Sequence, residues 1–289
     1  MNSKHSMGIG LVLSVSAIAS LGQSAWVPMA REIKATPGFS FSTFDEFWMK
    51  DTKIDNPPNG KSLDQYTPYL SVEYGILPNL AVDGTVGYSF TDTDAFGGDS
   101  DDGLADTHIG VRYRLVDENN APRSWMPTLT IRAGGIIAGT YDENLPFSAG
   151  DGAHGLEGSL LFGKAFSFGF GFYGDIGYRY RESPVPDDVF GTAGIFQQFG
   201  PVTVSAGYRH VQGLSGLDIG GTGFNPAAGS SHGFPALREI NQIIESGVTF
   251  TDHSGRSYQF TIGGNIDGKN TGDKLILGFN ATFPFGGGR

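Results

Sequence analysis

The chain has 289 residues, a formal net charge of −11 and no cysteine. The lack of cysteine excludes disulfides, thiol catalysis and cysteine zinc sites, and the acidic balance argues against nucleic acid as a partner. No run of about eighteen apolar residues occurs, which excludes a transmembrane helix. The mean hydropathy of −0.15 fits strands that alternate apolar and polar residues.

The first residues have the pattern of a secretory signal peptide. Lys4 supplies a positive charge, and residues 7–21 form an apolar stretch that is too short to span a membrane. We expect residues 1–22 to be removed by cleavage before Gln23, with cleavage before Ala25 as the second choice. The alternative is a buried N-terminal helix. An N-terminal periplasmic segment, 23–37, would follow.

From residue 38 onward the chain alternates apolar and polar residues, segment after segment, with turn residues between. In residues 80–91, for example, Leu80, Val82 and Val86 share one face while Asp83 and Thr85 lie on the other. The pattern predicts twelve strands, at 38–50, 65–76, 79–91, 104–116, 125–140, 153–166, 168–181, 188–199, 201–212, 238–251, 256–267 and 273–285.

The connections between these segments alternate in length. Short ones, such as Ser167 and Gly200, alternate with longer ones such as 92–103 and 213–237. Short periplasmic turns, longer external loops and an even strand number are typical of bacterial outer-membrane barrels. We therefore predict an all-β, antiparallel transmembrane β-barrel over residues 38–285, with about 12 strands (alternatives 10 or 14) and a C-terminal tail, 286–289.

Aromatic residues lie near strand ends, as in an interfacial girdle: Trp48, Tyr66, Tyr88, Tyr113, Trp125, Tyr178, Tyr180, Tyr208, Tyr258 and Phe285. The last strand alternates apolar and aromatic residues and resembles the assembly signal of outer-membrane proteins. A secreted β-sandwich also has alternating strands. Its polar faces would not be expected to carry so many charges.

Residues 103–142 resemble a family of outer-membrane transporters named for the meta-pathway of phenol degradation. The matching positions are Gly103, Leu104, Asp106, Thr107, Gly110, Arg112, Tyr113 and Arg114, followed by an acidic turn and a returning strand. A Pro-Thr-Gly found in that family is replaced here by 138–140. Residues 187–190 and 207–209 are also similar. The resemblance implies an exported channel, often encoded near catabolic genes for apolar or aromatic compounds.

The polar faces of the strands supply charges that must point into the lumen, because a charge in lipid costs about 2–4 kcal/mol near the midplane. The basic candidates are Arg112, Arg114, Arg132, Arg179, Arg181 and Arg209. The acidic candidates are Glu73, Asp83, Asp106, Glu157, Asp175 and Glu245. They form either a salt-bridged lumen that stiffens the barrel or a constriction that selects solutes by charge.

An acidic tract, a long loop and two side-chain pairings do not indicate a specific function. The acidic tract at Asp99, Asp101 and Asp102 lacks the spacing of a calcium loop, and residues 213–237 form either a gate or a mobile loop. His154 with Glu157, and Ser231 with His232, are the local pairings that a hydrolase could use, and neither has a hydrolase arrangement.

The sequence thus predicts a channel in the bacterial outer membrane for passive passage of small molecules. The alternatives are a structural or adhesion barrel that binds a partner through its external loops, and a lipid-modifying enzyme; we expect no enzyme activity and no cofactor. The expected partners are outer-membrane lipid and lipopolysaccharide, a small-molecule solute, and the barrel-assembly machinery during insertion.

Overall fold

The structure, a computed structural model, describes residues 24–55, 62–92, 100–143, 145, 148–225 and 232–287. The predicted signal peptide, 1–22, lies outside these residues. The described strands are, in chain order, β1 (Glu32–Phe44), β2 (Glu46–Met49), β3 (Thr52–Asp55), β4 (Leu63–Leu77), β5 (Leu80–Asp92), β6 (Asp101–Leu104), β7 (Thr107–Val116), β8 (Thr128–Ile137), β9 (Gly155–Ala165), β10 (Phe170–Arg181), β11 (Asp188–Phe199), β12 (Val202–Gly213), β13 (Ile240–Thr251), β14 (Ser257–Lys269) and β15 (Leu275–Gly286).

Twelve of these strands form a closed antiparallel ring. In the ring, β4 pairs with β5, β5 pairs with β7, and each strand from β7 to β14 pairs with the one that follows it. β1 closes the ring by pairing with both β15 and β4. The short β6 adds to one end of β5, and β2 and β3 form a separate hairpin. The predicted twelve-stranded barrel is confirmed.

The distribution of polar and apolar side chains between interior and surface is the reverse of that in a soluble protein. Large apolar side chains such as Leu156 and Ile176 face outward, exposed by 66% and 64%, whereas the charged side chain of Arg112 is only 1% exposed. An apolar exterior and a polar interior are what a barrel in lipid requires. Nine of the ten predicted girdle aromatics are exposed, but Trp48 is buried.

No helix in the described parts of the chain is both long and apolar enough to cross a membrane.

The first strand is the main error in the predicted boundaries. It was predicted at 38–50 but runs from Glu32 to Phe44, and the chain then leaves the wall to form the β2–β3 hairpin, which holds Trp48. Pro37 cannot donate a ladder hydrogen bond. The register accommodates it, because the pairing of β1 with β15 is interrupted between Ala35 and Gly38. The other strands begin and end within a few residues of the prediction.

The two ends of the barrel differ, as predicted. At the short-turn end, strands are joined by connections such as 78–79 and 200–201. At the long-loop end lie the β2–β3 hairpin and the described parts of 138–154 and of 214–239. The second of these loops includes a 3₁₀ turn at Phe234–Ala236. Of the predicted C-terminal tail, 286–289, Gly286 still belongs to β15, and Gly287 follows the strand.

Candidate functional site: the charged lumen

A row of alternating charges, here called the charged ladder, crosses the inner wall from β4 to β11. Its members are Glu73, Arg112, Asp83, Arg132, Glu157, Arg179 and Asp188. The ion-pair contacts are Arg112 Nη2 to Glu73 Oε2 at 2.5 Å, Arg112 Nε to Asp83 Oδ1 at 3.1 Å, Arg132 Nη2 to Asp83 Oδ2 at 2.8 Å, Arg132 Nη1 to Glu157, Arg179 Nε to Glu157 Oε2 at 3.5 Å, and Arg179 Nη1 to Asp188 Oδ2 at 3.1 Å.

The strand register explains why the ladder needs its acids. Arg112 on β7 lies directly opposite Arg132 on β8, and like charges in that position repel. Asp83 on β5 contacts both guanidinium groups, so its carboxylate offsets the repulsion. Gly110 provides the space, since a Cβ there would lie 2.5 Å from Arg132 Nη2.

Sequence reasoning missed three side chains at the ladder, those of Asp188, Phe190 and His108. Asp188 ends the row, and Arg179 lies over the ring of the inward-facing Phe190, with the guanidinium carbon 4.8 Å from its centroid. His108 lies 3.6 Å from Glu157 through Nδ1. Asp188 could have been found, because it begins the predicted eighth strand on the face that alternation turns inward.

A second cluster ties a loop into the lumen at the long-loop end. Arg181 Nη2 lies 3.0 Å from Asp106 Oδ2 and 3.1 Å from Asp151 Oδ2. The Tyr141 hydroxyl donates to Asp106 at 2.6 Å and accepts from the Gly152 backbone N–H at 2.7 Å. Burial, together with the nearby Asp106, raises the pKa of Tyr141, so its hydroxyl remains a donor to Asp106.

The remaining sequence candidates lie apart from the ladder. Arg209 and Glu245 face each other at 3.7 Å, on β12 and β13. Asp175 is buried on β10. Arg114, by contrast, lies at the short-turn end, where Nη2 donates to the Pro78 carbonyl at 2.7 Å and pairs with Asp117 at 3.2 Å.

Residues 24–30 enter the lumen from the short-turn end. The Trp26 indole Nε1 donates to Glu118 at 2.8 Å, and its ring packs edge-on against Phe196 with centroids 6.3 Å apart. Arg112 Nη1 donates to the Ser24 carbonyl at 3.1 Å, and Thr130 Oγ1 donates to the Ala25 carbonyl at 2.6 Å. This segment therefore occupies the lumen next to the charged ladder.

Between the ladder and the long loops lies a cavity of about 260 Å³. One wall is charged and comes from β7, β10, β11 and the described residues 143, 145 and 148–151. The opposite wall comes from β12, β13, β15 and the loop 214–239, whose described residues Phe234, Pro235 and Leu237 reach the cavity. Part of that loop, 226–231, lies outside the described residues.

The pairings considered for a hydrolase are His154 with Glu157 and Ser231 with His232. His154 Nδ1 accepts from the Ala138 backbone N–H at 3.2 Å, and Ser231 lies outside the described residues. Where the structure describes the chain, no three His, Asp or Glu side chains group as metal ligands. Asp101 and Asp102 are part of β6, and Asp102 accepts from the Tyr88 hydroxyl; Asp99 lies outside the described part.

No protein-family model and no curated protein matches the sequence. Among solved structures, the chain is similar to an outer-membrane channel from Pseudomonas putida F1, with a TM-score of 0.71 and 11% identity over 92% of this chain and 99% of that one. It is less similar to the KdgM porin (TM-score 0.48, 8% identity, 87% and 99% covered) and to the CymD monoaromatic hydrocarbon channel (0.43, 10%, 90% and 90%).

The first likeness establishes the fold, which is that of an outer-membrane β-barrel.

Proposed function

We propose that this chain is an outer-membrane channel through which small molecules pass passively, without catalysis. The observation that carries the proposal is the closed barrel with an apolar exterior and a polar, incompletely filled lumen. By its resemblance at residues 103–142, the solutes would include apolar or aromatic compounds. The exterior would contact outer-membrane lipid and lipopolysaccharide, and β15 would be recognised by the assembly machinery.

The lumen is asymmetric, which suggests where solutes pass. The ladder charges lie on β4 to β11. On β12 to β15 and β1 the inward side chains are mostly short and neutral, among them Thr203, Thr249, Thr261, Thr36 and Ser40, with Arg209, Glu245, Glu32 and Lys34 among the charged exceptions. Short hydroxyl side chains leave space beside the wall, so we place the route there, with the ladder as its charged border.

A structural or adhesion barrel is the second candidate. The observation that favours it is that residues 24–30 fill the short-turn end while long loops cover the other. The two candidates differ in one respect that can be measured, because only a channel conducts. No observation on the described residues favours a lipid-modifying enzyme.

Ion selectivity tests both the channel and the role of the ladder. In the variants Arg112→Ser and Arg179→Ser, the reversal potential across a planar bilayer under a salt gradient should shift toward cation selectivity, because each loses one positive charge from the lumen. Arg123→Ser is the matched control, since Arg123 is exposed at the short-turn end. If the ladder variants conduct with the selectivity of the control, the ladder is structural only.

A further inference from the structure

Two cations at the long-loop cavity, Arg209 and Lys274, have fewer ion-pair partners than four other arginines of the lumen. Arg112, Arg132, Arg179 and Arg181 each contact two carboxylates within 3.5 Å. Arg209 has one ion pair, at 3.7 Å to Glu245.

The Arg209 side chain is only 5% exposed, yet its Nε and Nη2 donate no hydrogen bond to any described residue. A buried guanidinium with unused donors is costly, and its planar fork matches a carboxylate.

Lys274 is the second cation. It lines the same cavity, immediately before β15, and no carboxylate oxygen of a described residue lies within 4.0 Å of its Nζ. Burial lowers the pKa of Lys274, and the nearby positive charge of Arg209 lowers it further, whereas Glu239 opposes the shift. Because Arg209 and Lys274 line the same cavity, an anion held between them would be stabilised by both positive charges.

An apolar strip lies beside these cations. Ile243 is directly opposite Arg209 in the β12–β13 register, and Val211, Ile276 and Leu237 line the cavity with it. The strip would accommodate the apolar part of a ligand, while the cations hold its charged end.

Acidic side chains limit how much negative charge the ligand can carry. Asp151, Asp188 and Glu239 also line the cavity, and a dianion would be repelled by them. Asp151 is paired with Arg181, and Asp188 with Arg179. Burial raises the pKa of Glu239 to about 7, and the carboxylate of Asp151 contributes to that rise. The site therefore suits a single negative charge.

We propose that this cavity binds a small amphipathic monocarboxylate, with its carboxylate between Arg209 and Lys274 and its apolar body against Ile243 and Ile276. A volume of about 260 Å³ is below the roughly 300–1,000 Å³ of sites for drug-sized ligands, so the ligand is about the size of one substituted ring. The inference rests on the proposed function in that the ligand is a solute in transit.

Binding of benzoate to the refolded chain in lipid nanodiscs tests this directly. Isothermal titration, with protein-free nanodiscs as the blank, would compare benzoate with benzyl alcohol and benzylamine, which share the ring and differ in charge. We expect benzoate to bind most tightly. Arg209→Gln should weaken benzoate about tenfold, as the loss of one charged hydrogen-bond contact implies, and change benzyl alcohol less than about twofold.

Two further variants keep the test decisive if Arg209→Gln folds poorly. Lys274→Gln should also weaken benzoate, and Glu239→Gln should strengthen it, because that variant removes a negative charge from the cavity. Arg123→Gln, outside the lumen, should change nothing. Equal binding of benzoate and benzyl alcohol, or equal losses for both in Arg209→Gln, would overturn the inference. Since titration needs no conductance, benzoate binding to a silent barrel would refute the channel alone.

Discussion

Glu157 is the ladder residue whose replacement gives the sharpest test of the lumen. Its side chain is 2% exposed and contacts Arg132, Arg179 Nε at 3.5 Å and His108 Nδ1 at 3.6 Å. Glu157→Gln keeps the shape and removes the charge.

The expected destabilisation follows from which partners remain. Removing one member of a buried ion pair costs about 3–5 kcal/mol when the other charge is left uncompensated. Here Arg132 keeps Asp83 at 2.8 Å and Arg179 keeps Asp188 at 3.1 Å. The loss is therefore that of charged hydrogen bonds, about 1.5–3 kcal/mol.

The measurement is reversible urea unfolding in lipid vesicles, followed by tryptophan fluorescence. Glu182→Gln is the matched control, because Glu182 is exposed in the loop after β10 and should change the free energy of unfolding by less than about 0.5 kcal/mol. Indistinguishable unfolding of the two variants would refute the buried ladder as a source of stability.

The remaining predictions concern the N-terminal segment, the loops and a glycine. Trp26→Ala should raise single-channel conductance, because the indole lies in the lumen and donates to Glu118; unchanged conductance would mean that residues 24–30 do not limit passage. Asn270 has a left-handed backbone (φ 50°) that glycine can also adopt. Asn270→Gly therefore removes only the side-chain hydrogen bonds to the β2–β3 hairpin and to 214–239, each worth about 1 kcal/mol. Limited proteolysis should then cut 214–239 faster than in the wild type. Gly110→Ala should lower the urea midpoint, because a Cβ would meet the Arg132 guanidinium; an unchanged midpoint would show that the guanidinium moves at little cost.

Much of the wall could be predicted from the sequence, because alternation with period two fixes which side chains face lipid. Leu156 and Ile176 are outward and Arg132 and Glu157 inward, as alternation requires. Strand β1 was misplaced because Pro37 interrupts its polar first half, whereas the apolar residues from Phe39 onward extend past the point where the wall ends.

The site was predictable in its composition but not in its contacts. Alternation identifies Arg112 and Arg132 as inward-facing. Their direct opposition depends on the β7–β8 register, and that register cannot be deduced from the alternation of polar and apolar residues. The entry of Trp26 into the lumen had no local signal, since residues 24–30 have no strand pattern. Their position depends on partners far along the chain, among them Glu118 and Thr130.

Single-channel recording in a planar bilayer tests the channel most directly. The refolded wild-type chain should give discrete conductance steps, and Trp26→Ala should give larger ones. Insertion of folded protein, verified by its resistance to protease, without any steps from either chain would contradict the proposed channel and leave a structural barrel.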